Sequence, residues 1–225
     1  MELLFKLILI IHIIAGSIAL FTGTINIIRK KGDKPHRLVG KYFFYSMLIN
    51  AIAGFIMSVL HPNLFLLIIA VFSFYMTATG QRFLSLKRIH KGQKAKNIDW
   101  ILTITMLLFA VFFIIYGFYL LVNDNNFGTV LVVFGLISIL MARMDIKIYQ
   151  GNIKIENYWL LIHIQRMIGA YIAALTAFLV VNNTYLPPVV AWLLPTVIFT
   201  PLIFYWSKKN ASKLIVKKQN IKITK

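Results

Sequence analysis

Seven long apolar stretches, at residues 3–28, 42–60, 64–83, 98–122, 129–143, 158–181 and 189–206, constrain this chain more than any other feature. A helix needs about 20 mostly apolar residues to cross a hydrocarbon core, and each stretch reaches or approaches that length. The runs are continuous and do not alternate with period two, so they read as helices and not as strands of a membrane barrel. Seven spans use about 140 residues, and 60% of the 225 residues are hydrophobic. Charged residues make up 13%, against roughly 25% in ordinary soluble domains. A water-soluble globule and a disordered chain are both excluded. The expected fold is an all-α membrane protein, a seven-transmembrane-helix bundle over residues 1–207 followed by a basic tail at 208–225. The first stretch is expected to remain in the mature protein. Met1-Glu2 gives no basic start, the run is too long for a leader, and Arg29-Lys30-Lys31 follows it as a stop.

Charge placement gives the orientation. All but two of the 24 lysines and arginines fall in or beside alternate connections, at 29–41, 82–96 and 143–154, or in the tail. The intervening connections, 61–63, 123–128 and 182–188, hold none. The positive-inside rule then puts the N-terminus outside and the C-terminus in the cytoplasm. The same bias accounts for the net charge of +18, since each Lys or Arg near anionic headgroups gains about 1 kcal/mol. Anionic lipid of the cytoplasmic leaflet is therefore the expected partner of that face. Nucleic acid is not expected, because no folded basic domain or base-stacking motif accompanies the tail. The tail alternates lysine with Ile, Leu and Val and reads as disordered or as a short interfacial helix. Pro195 and Pro201 predict a kink in the last span. The abundance of Ile, Lys and Asn fits a bacterial chain, and the expected location is the bacterial cytoplasmic membrane.

Two cations escape the pattern. Lys6 lies one turn from the outer edge and can snorkel. Arg166 lies about 12 Å into the sixth span at about 1.5 Å per residue, a costly position unless it faces protein or water. His163 shares its helix face, and Gly169, Ala170, Ala173 and Ala177 continue it with the small residues that let helices approach closely. His12, Gly16, Ala19 and Gly23 repeat the design in the first span, and Ser46, Asn50, Gly54 and Ser58 in the second. These three faces are expected to form the core. Toward the cytoplasmic ends, Arg82, Arg143, Arg166 and His163 are expected to surround a polar cavity with Asp99 and Asp145 as counter-ions. Such a cavity suits an anionic ligand or a lipid headgroup. The blander reading makes Arg82 and Arg143 helix-end anchors and pairs Arg166 with Asp145 or a carbonyl.

Paired imidazoles on facing helices hold b-type haem in many membrane redox proteins. His12 lies outward of its span's midpoint and His163 inward of its own, offset by about 15 Å along the normal, so the two cannot share one haem. No other histidine lies within a span. His36, His90 and His163 could converge on a metal, but they show no short ligand spacing; no metal site is assigned, and the cofactor is left unknown. With no cysteine, thiolate chemistry is excluded. No GxxxxGK[ST], HExxH or GxSxG motif occurs, and no catalytic residue is assigned. Proton-driven transport lacks its mid-membrane carboxylate, and a retinal protein would need a lysine deep in the last span.

The run His12-(x3)-Gly16-(x6)-Gly23, the loop His36-Arg37-(x2)-Gly40, the close of the third span at Gly80-Gln81-Arg82 and the opening of the sixth at His163-(x2)-Arg166 resemble a family of bacterial multipass membrane proteins with a domain of unknown function. Members often carry a Trp-Met pair where this chain has Arg166-Met167. The resemblance implies a bacterial cytoplasmic-membrane protein and brings no activity with it.

The residues together point to a site for a small anionic or lipid-derived molecule, transported or sensed, built on His163, Arg166, Arg82, His12, Asn50 and Arg143. A b-haem or quinone redox protein is one alternative. A membrane assembly partner, whose polar groups only fix packing, is the other.

Overall fold

A computed structural model describes the backbone of residues 1–152 and 155–223, with side chains for all of these except 188 and 212–223. It contains α1 (Glu2–Ile28), α2 (Lys34–Leu60), α3 (Leu64–Phe83), α4 (Asn97–Val122), α5 (Phe127–Tyr149), α6 (Tyr158–Asn182) and α7 (Pro188–Ile223). There is no strand among the described residues. All seven helices are long and apolar enough to cross a membrane. The fold is the all-helical, seven-span one expected.

Several helices outrun the apolar stretches that signalled them. α2 begins at Lys34 because Asp33 caps it, its Oδ1 accepting the His36 N–H at 2.7 Å, with Pro35 pre-setting φ in the first turn. Asn63 caps α3 in the same way, accepting the Leu66 N–H at 3.0 Å. α5 passes Arg143 and ends at Tyr149, since Ile146, Ile148 and Tyr149 keep its apolar pattern going beyond the charge. α7 runs unbroken through Pro195 and Pro201 and on past residue 207 to Ile223. The tail backbone is therefore helical to that point, not disordered, and the amphipathic face expected there falls on side chains outside the described residues.

The chain divides into two compact units. One, Leu86–Lys154, holds the α4–α5 hairpin, preceded by a 3-10 turn at Ile89–Lys91 that Gly92 ends in the left-handed region at φ 87°. Its seam is regular. α4 buries Thr103, Met106, Ala110, Phe113, Gly117 and Leu120, and α5 buries Gly128, Leu131, Gly135, Ser138 and Ala142. These positions alternate spacings of three and four, the period of a left-handed coiled pair. Glycine sets the distance: a Cβ on Gly117 would lie 2.8 Å from the Gly128 carbonyl oxygen, one on Gly128 would collide with the Gly117 oxygen, and one on Gly135 would lie 2.9 Å from the Ala110 oxygen.

The other unit, Met1–Ser85 with Ile155–Lys225, holds the remaining five helices. Ring contacts fix its two ends. Phe5 lies 4.2 Å from His61 and Phe65 stacks on Trp192 at 5.7 Å, joining the starts of α1, α3 and α7 to the end of α2. At the opposite end Phe83 meets Tyr158 edge-on at 6.5 Å and Lys31 lies 4.4 Å over the Trp206 ring. Of the small-residue faces expected in the core, Ala19, Gly23, Ser46, Gly54, Ser58, Ala170 and Ala173 are buried. Leu7, Ile10, Ile14 and Phe21 of α1 and Tyr42, Ile49 and Ile52 of α2 are exposed, an apolar exterior suited to hydrocarbon.

Replacing Gly128 with Val should force α4 and α5 apart and cost about 1–3 kcal/mol. The measurement is the thermal unfolding midpoint in detergent, with Leu140→Ala on the exposed face of α5 expected to change it little.

Candidate functional site

Within the five-helix unit the two ends differ in chemistry. The end with the 61–63 and 183–187 connections carries no lysine or arginine in them, whereas the other carries Arg29, Lys30, Lys31, Lys34 and Arg37. α1 and α6 touch in the half nearer the basic end. Thr24 and Tyr171 share a hydroxyl hydrogen bond at 2.7 Å, and a Cβ on Gly23 would lie 2.5 Å from the Tyr171 ring. Toward the neutral end the two helices part, and a cavity of 320 Å³ opens between α1, α2, α3 and α6.

Its walls are mainly apolar, with His12, Ser17, Asn50, Ser73 and Asn182 as the polar lining residues and no Lys, Arg, Asp or Glu. His12 Nδ1 lies 3.0 Å from the Asn50 carbonyl oxygen. A helical carbonyl keeps a second lone pair for such a bond, so the imidazole is fixed at Nδ1 and its Nε2 is left to the cavity side of the seam. Two glycines make this possible. A Cβ on Gly54 would lie 3.4 Å from His12 Cε1, and one on Gly16 would lie 3.1 Å from Asn50 Oδ1. Asn50 Oδ1 is buried against Gly16 and has no hydrogen-bond partner among the described residues. Ile13 and Ser17 on α1 and Phe178 and Val181 on α6 line the cavity and are exposed, so its mouth opens sideways between these two helices.

His163 and Arg166 lie at the other end of α6. His163 Nδ1 is 2.9 Å from the Gly80 carbonyl oxygen on α3, repeating the histidine-to-carbonyl contact of His12. Arg166 is 5% exposed. Its Nη1 donates to Thr79 Oγ1 at 3.3 Å, and the guanidinium lies 4.8 Å over the Tyr75 ring. A Cβ on Gly80 would come 2.9 Å from Arg166 Cβ. Arg166 thus packs into the α3–α6 seam through a cation–π contact and a hydroxyl.

Within the five-helix unit the expected site residues fall into two groups. His12 and Asn50 come together in the cavity. His163 and Arg166 come together on α3, and Arg82 is half-buried in the last turn of that helix. Arg143 is exposed on α5 and belongs to the hairpin unit, as do Asp99 and Asp145. Asp99 caps its own helix, Oδ2 accepting the Lys96 N–H at 2.8 Å. No group of three or more His, Cys, Asp or Glu residues able to hold a metal occurs among the described residues. Ser17, Ser73 and Asn182 were missed from sequence, because Ser17 and Asn182 lie off the small-residue faces marked in α1 and α6 and no such face was marked in α3. Ala177, Gly16, His12 and Asn50 are half-buried although they lie on the expected core faces, and the cavity is the reason.

Seven membrane-capable helices with buried polar seams define a multipass membrane protein. Residues 9–141 match the family described as predicted membrane protein (DUF2306). That is more than half of the chain, and the chain belongs to this family, which is one of unknown function. The matched stretch contains His12, His36 and Gly80 and stops before His163 and Arg166. No curated protein and no solved structure matches the chain.

Gly80→Leu should separate α3 from α6, break the His163 contact and cost about 1–3 kcal/mol. Gly80→Ala should do the same to a smaller degree. Thermal unfolding of both variants in detergent, read against wild type, checks the order.

Proposed function

We propose that the protein binds a lipid-soluble, uncharged amphiphile with a hydroxyl head, a quinol or a neutral lipid-derived alcohol, in the cavity between α1, α2, α3 and α6. The observation that carries this reading is the anchored His12 imidazole beside the unpartnered Asn50 Oδ1, within otherwise apolar walls. With Nδ1–H donating to the Asn50 carbonyl, the neutral imidazole offers Nε2 as an acceptor, and Asn50 Oδ1 is a second acceptor, so the ligand head that fits is a hydroxyl donor. The volume sits near the lower bound of roughly 300–1,000 Å³ for small-molecule pockets. Walls without charge favour a neutral ligand over the anion expected from the sequence, and a sideways mouth favours entry from the bilayer. His12 is the single imidazole among the lining residues, which favours a quinol over a haem held by two histidines. In this reading His163 and Arg166 position α6 on α3 and do not touch the ligand.

The reading places the protein in a bacterial cytoplasmic membrane, with the basic end of the five-helix unit toward the cytoplasm and its anionic lipids, as the distribution of lysine and arginine supports. Binding is the step shared by transport, sensing and quinone redox chemistry.

Protein purified in mild detergent should carry an extractable quinol or neutral lipid alcohol, identified by mass spectrometry of the organic extract. His12→Leu and Asn50→Leu should each lower its occupancy by about tenfold, the worth of one buried hydrogen bond, with little change in unfolding midpoint. Unchanged occupancy in both variants would sink the reading. An oxidised-versus-reduced optical spectrum is the companion measurement, and sharp reduced α and β bands would move a haem to the front.

A further inference from the structure

The cavity has more polar groups than one hydroxyl can use. Besides His12 and Asn50, its lining includes Ser17 on α1, Ser73 on α3 and Asn182 at the end of α6. Each of the four helices around the space therefore brings a polar side chain to it. A hydroxyl in a membrane helix commonly turns back to a carbonyl of its own helix, as Thr22 Oγ1 does with Ile18 and Thr79 Oγ1 with Tyr75, both at 2.6 Å. Ser17 and Ser73 make no hydrogen bond among the described residues. Asn182 uses Nδ2 on the Phe178 carbonyl at 2.8 Å and keeps Oδ1.

Donor and acceptor counts separate the candidate heads. His12 Nε2, Asn50 Oδ1 and Asn182 Oδ1 accept, and each serine hydroxyl donates or accepts. A simple alcohol has one hydrogen to give, so it satisfies one acceptor and leaves the serines unmatched in the same space. A glycerol with one oxygen joined to a chain keeps two hydroxyls on adjacent carbons, and the oxygen at the chain is a further acceptor for a serine. A quinol also has two hydroxyls, but on opposite edges of a flat ring. No aromatic side chain besides His12 and Phe178 lines the space to stack on that ring, and Phe178 is exposed at the mouth. A phosphate-bearing head has no counter-charge among the lining residues. Ile13, Phe178 and Val181 flank the mouth between α1 and α6, apolar groups that suit a chain passing into hydrocarbon.

Resting on the reading of the cavity as a ligand site, we propose that its ligand is a single-chain glycerolipid, a monoacyl- or monoalkylglycerol, and that Ser17 and Ser73 select this two-hydroxyl head over a simple alcohol. His12 and Asn50 hold any hydroxyl head that enters. The serines discriminate between heads.

The test compares monooleoylglycerol with oleyl alcohol, which share a chain and differ in the head, as direct binding of each labelled lipid to the full chain in nanodiscs. Wild type is expected to bind monooleoylglycerol about tenfold more tightly, the worth of one further hydrogen bond. Ser17→Ala and Ser73→Ala are each expected to shrink that ratio while the affinity for oleyl alcohol stays at the wild-type value, a pattern that a misfolded variant would not give. His12→Leu is expected to weaken both lipids together. Equal affinity of wild type for the two lipids, or a ratio unchanged in both serine variants, would overturn the glycerol assignment and leave the cavity as a hydroxyl site. Binding of labelled decylubiquinol with neither lipid bound would overturn it in favour of a quinol. Failure of all three probes to bind would remove the cavity reading itself.

Discussion

A helix in hydrocarbon has no water to solvate a stray polar group and no hydrophobic force pressing it onto its neighbour, since lipid tails are as apolar as its own side chains. Everything here rests on what replaces that force, the close approach of backbones at small residues. Glycine permits it in two ways. In the α4–α5 hairpin it faces glycine or a carbonyl, and Gly117, Gly128 and Gly135 bring two smooth ridges together. In the five-helix unit four glycines face a polar side chain, Gly54 opposite His12, Gly16 opposite Asn50, Gly40 opposite Asn26 and Gly80 opposite Arg166, while Gly23 faces Tyr171 and Phe43 and Gly169 faces Met76. The second arrangement gains hydrogen bonds as well as dispersion. It also makes the seams of this unit the place where chemistry can reside.

His12 and His163 show the consequence. Each places Nδ1 on a backbone carbonyl of the adjacent helix, Asn50 in one case and Gly80 in the other. Such a bond uses a lone pair the helix ladder leaves over, so it tethers without unwinding anything. What differs is the surroundings. Around His163 the seam is closed by Arg166, Thr79 and Tyr75, while around His12 it opens into a cavity. One kind of contact thus serves as a tether in one seam and presents an imidazole in the other.

The number and type of helices were legible in the sequence because bilayer thickness demands long apolar runs, and each of the seven runs became a helix. Helix ends were less legible. Hydropathy reports the part in hydrocarbon, whereas Asp33 and the apolar residues after Arg143 decide where α2 and α5 start and stop. The buried faces could be read from small residues in α1, α2 and α6, but the coiled seam of α4 and α5 went unread. Small residues mark its inside, Thr103, Ala110 and Gly117 in α4 and Gly128, Gly135, Ser138 and Ala142 in α5, but no histidine or arginine on those faces drew attention to them. The site was legible in half. His12 and Asn50 stood out as polar residues on glycine-bearing faces, yet their pairing depends on the α1–α2 register, and no spacing within one helix encodes that. Arg166 drew attention for its charge, and two residues it contacts, Tyr75 and Thr79, are ordinary residues of another span.

The division of α6 ties these features together. Its first half is held to α3 by His163 and Arg166, and Tyr171 then fastens it to α1 through Thr24 and the space above Gly23. Beyond Tyr171 the cavity is lined by Ala174, Ala177, Phe178, Val181 and Asn182, of which Ala174 and Ala177 are too short to reach across to α1. The same small residues that would allow close packing leave a gap here, because the helices have already diverged from the bulky ring at the crossing. Tyr171 therefore fills the space over Gly23 where α1 and α6 meet, and the cavity lies beyond it. Arg166, far from the cavity, matters to it only by keeping α6 on α3 so that the divergence falls on the α1 side.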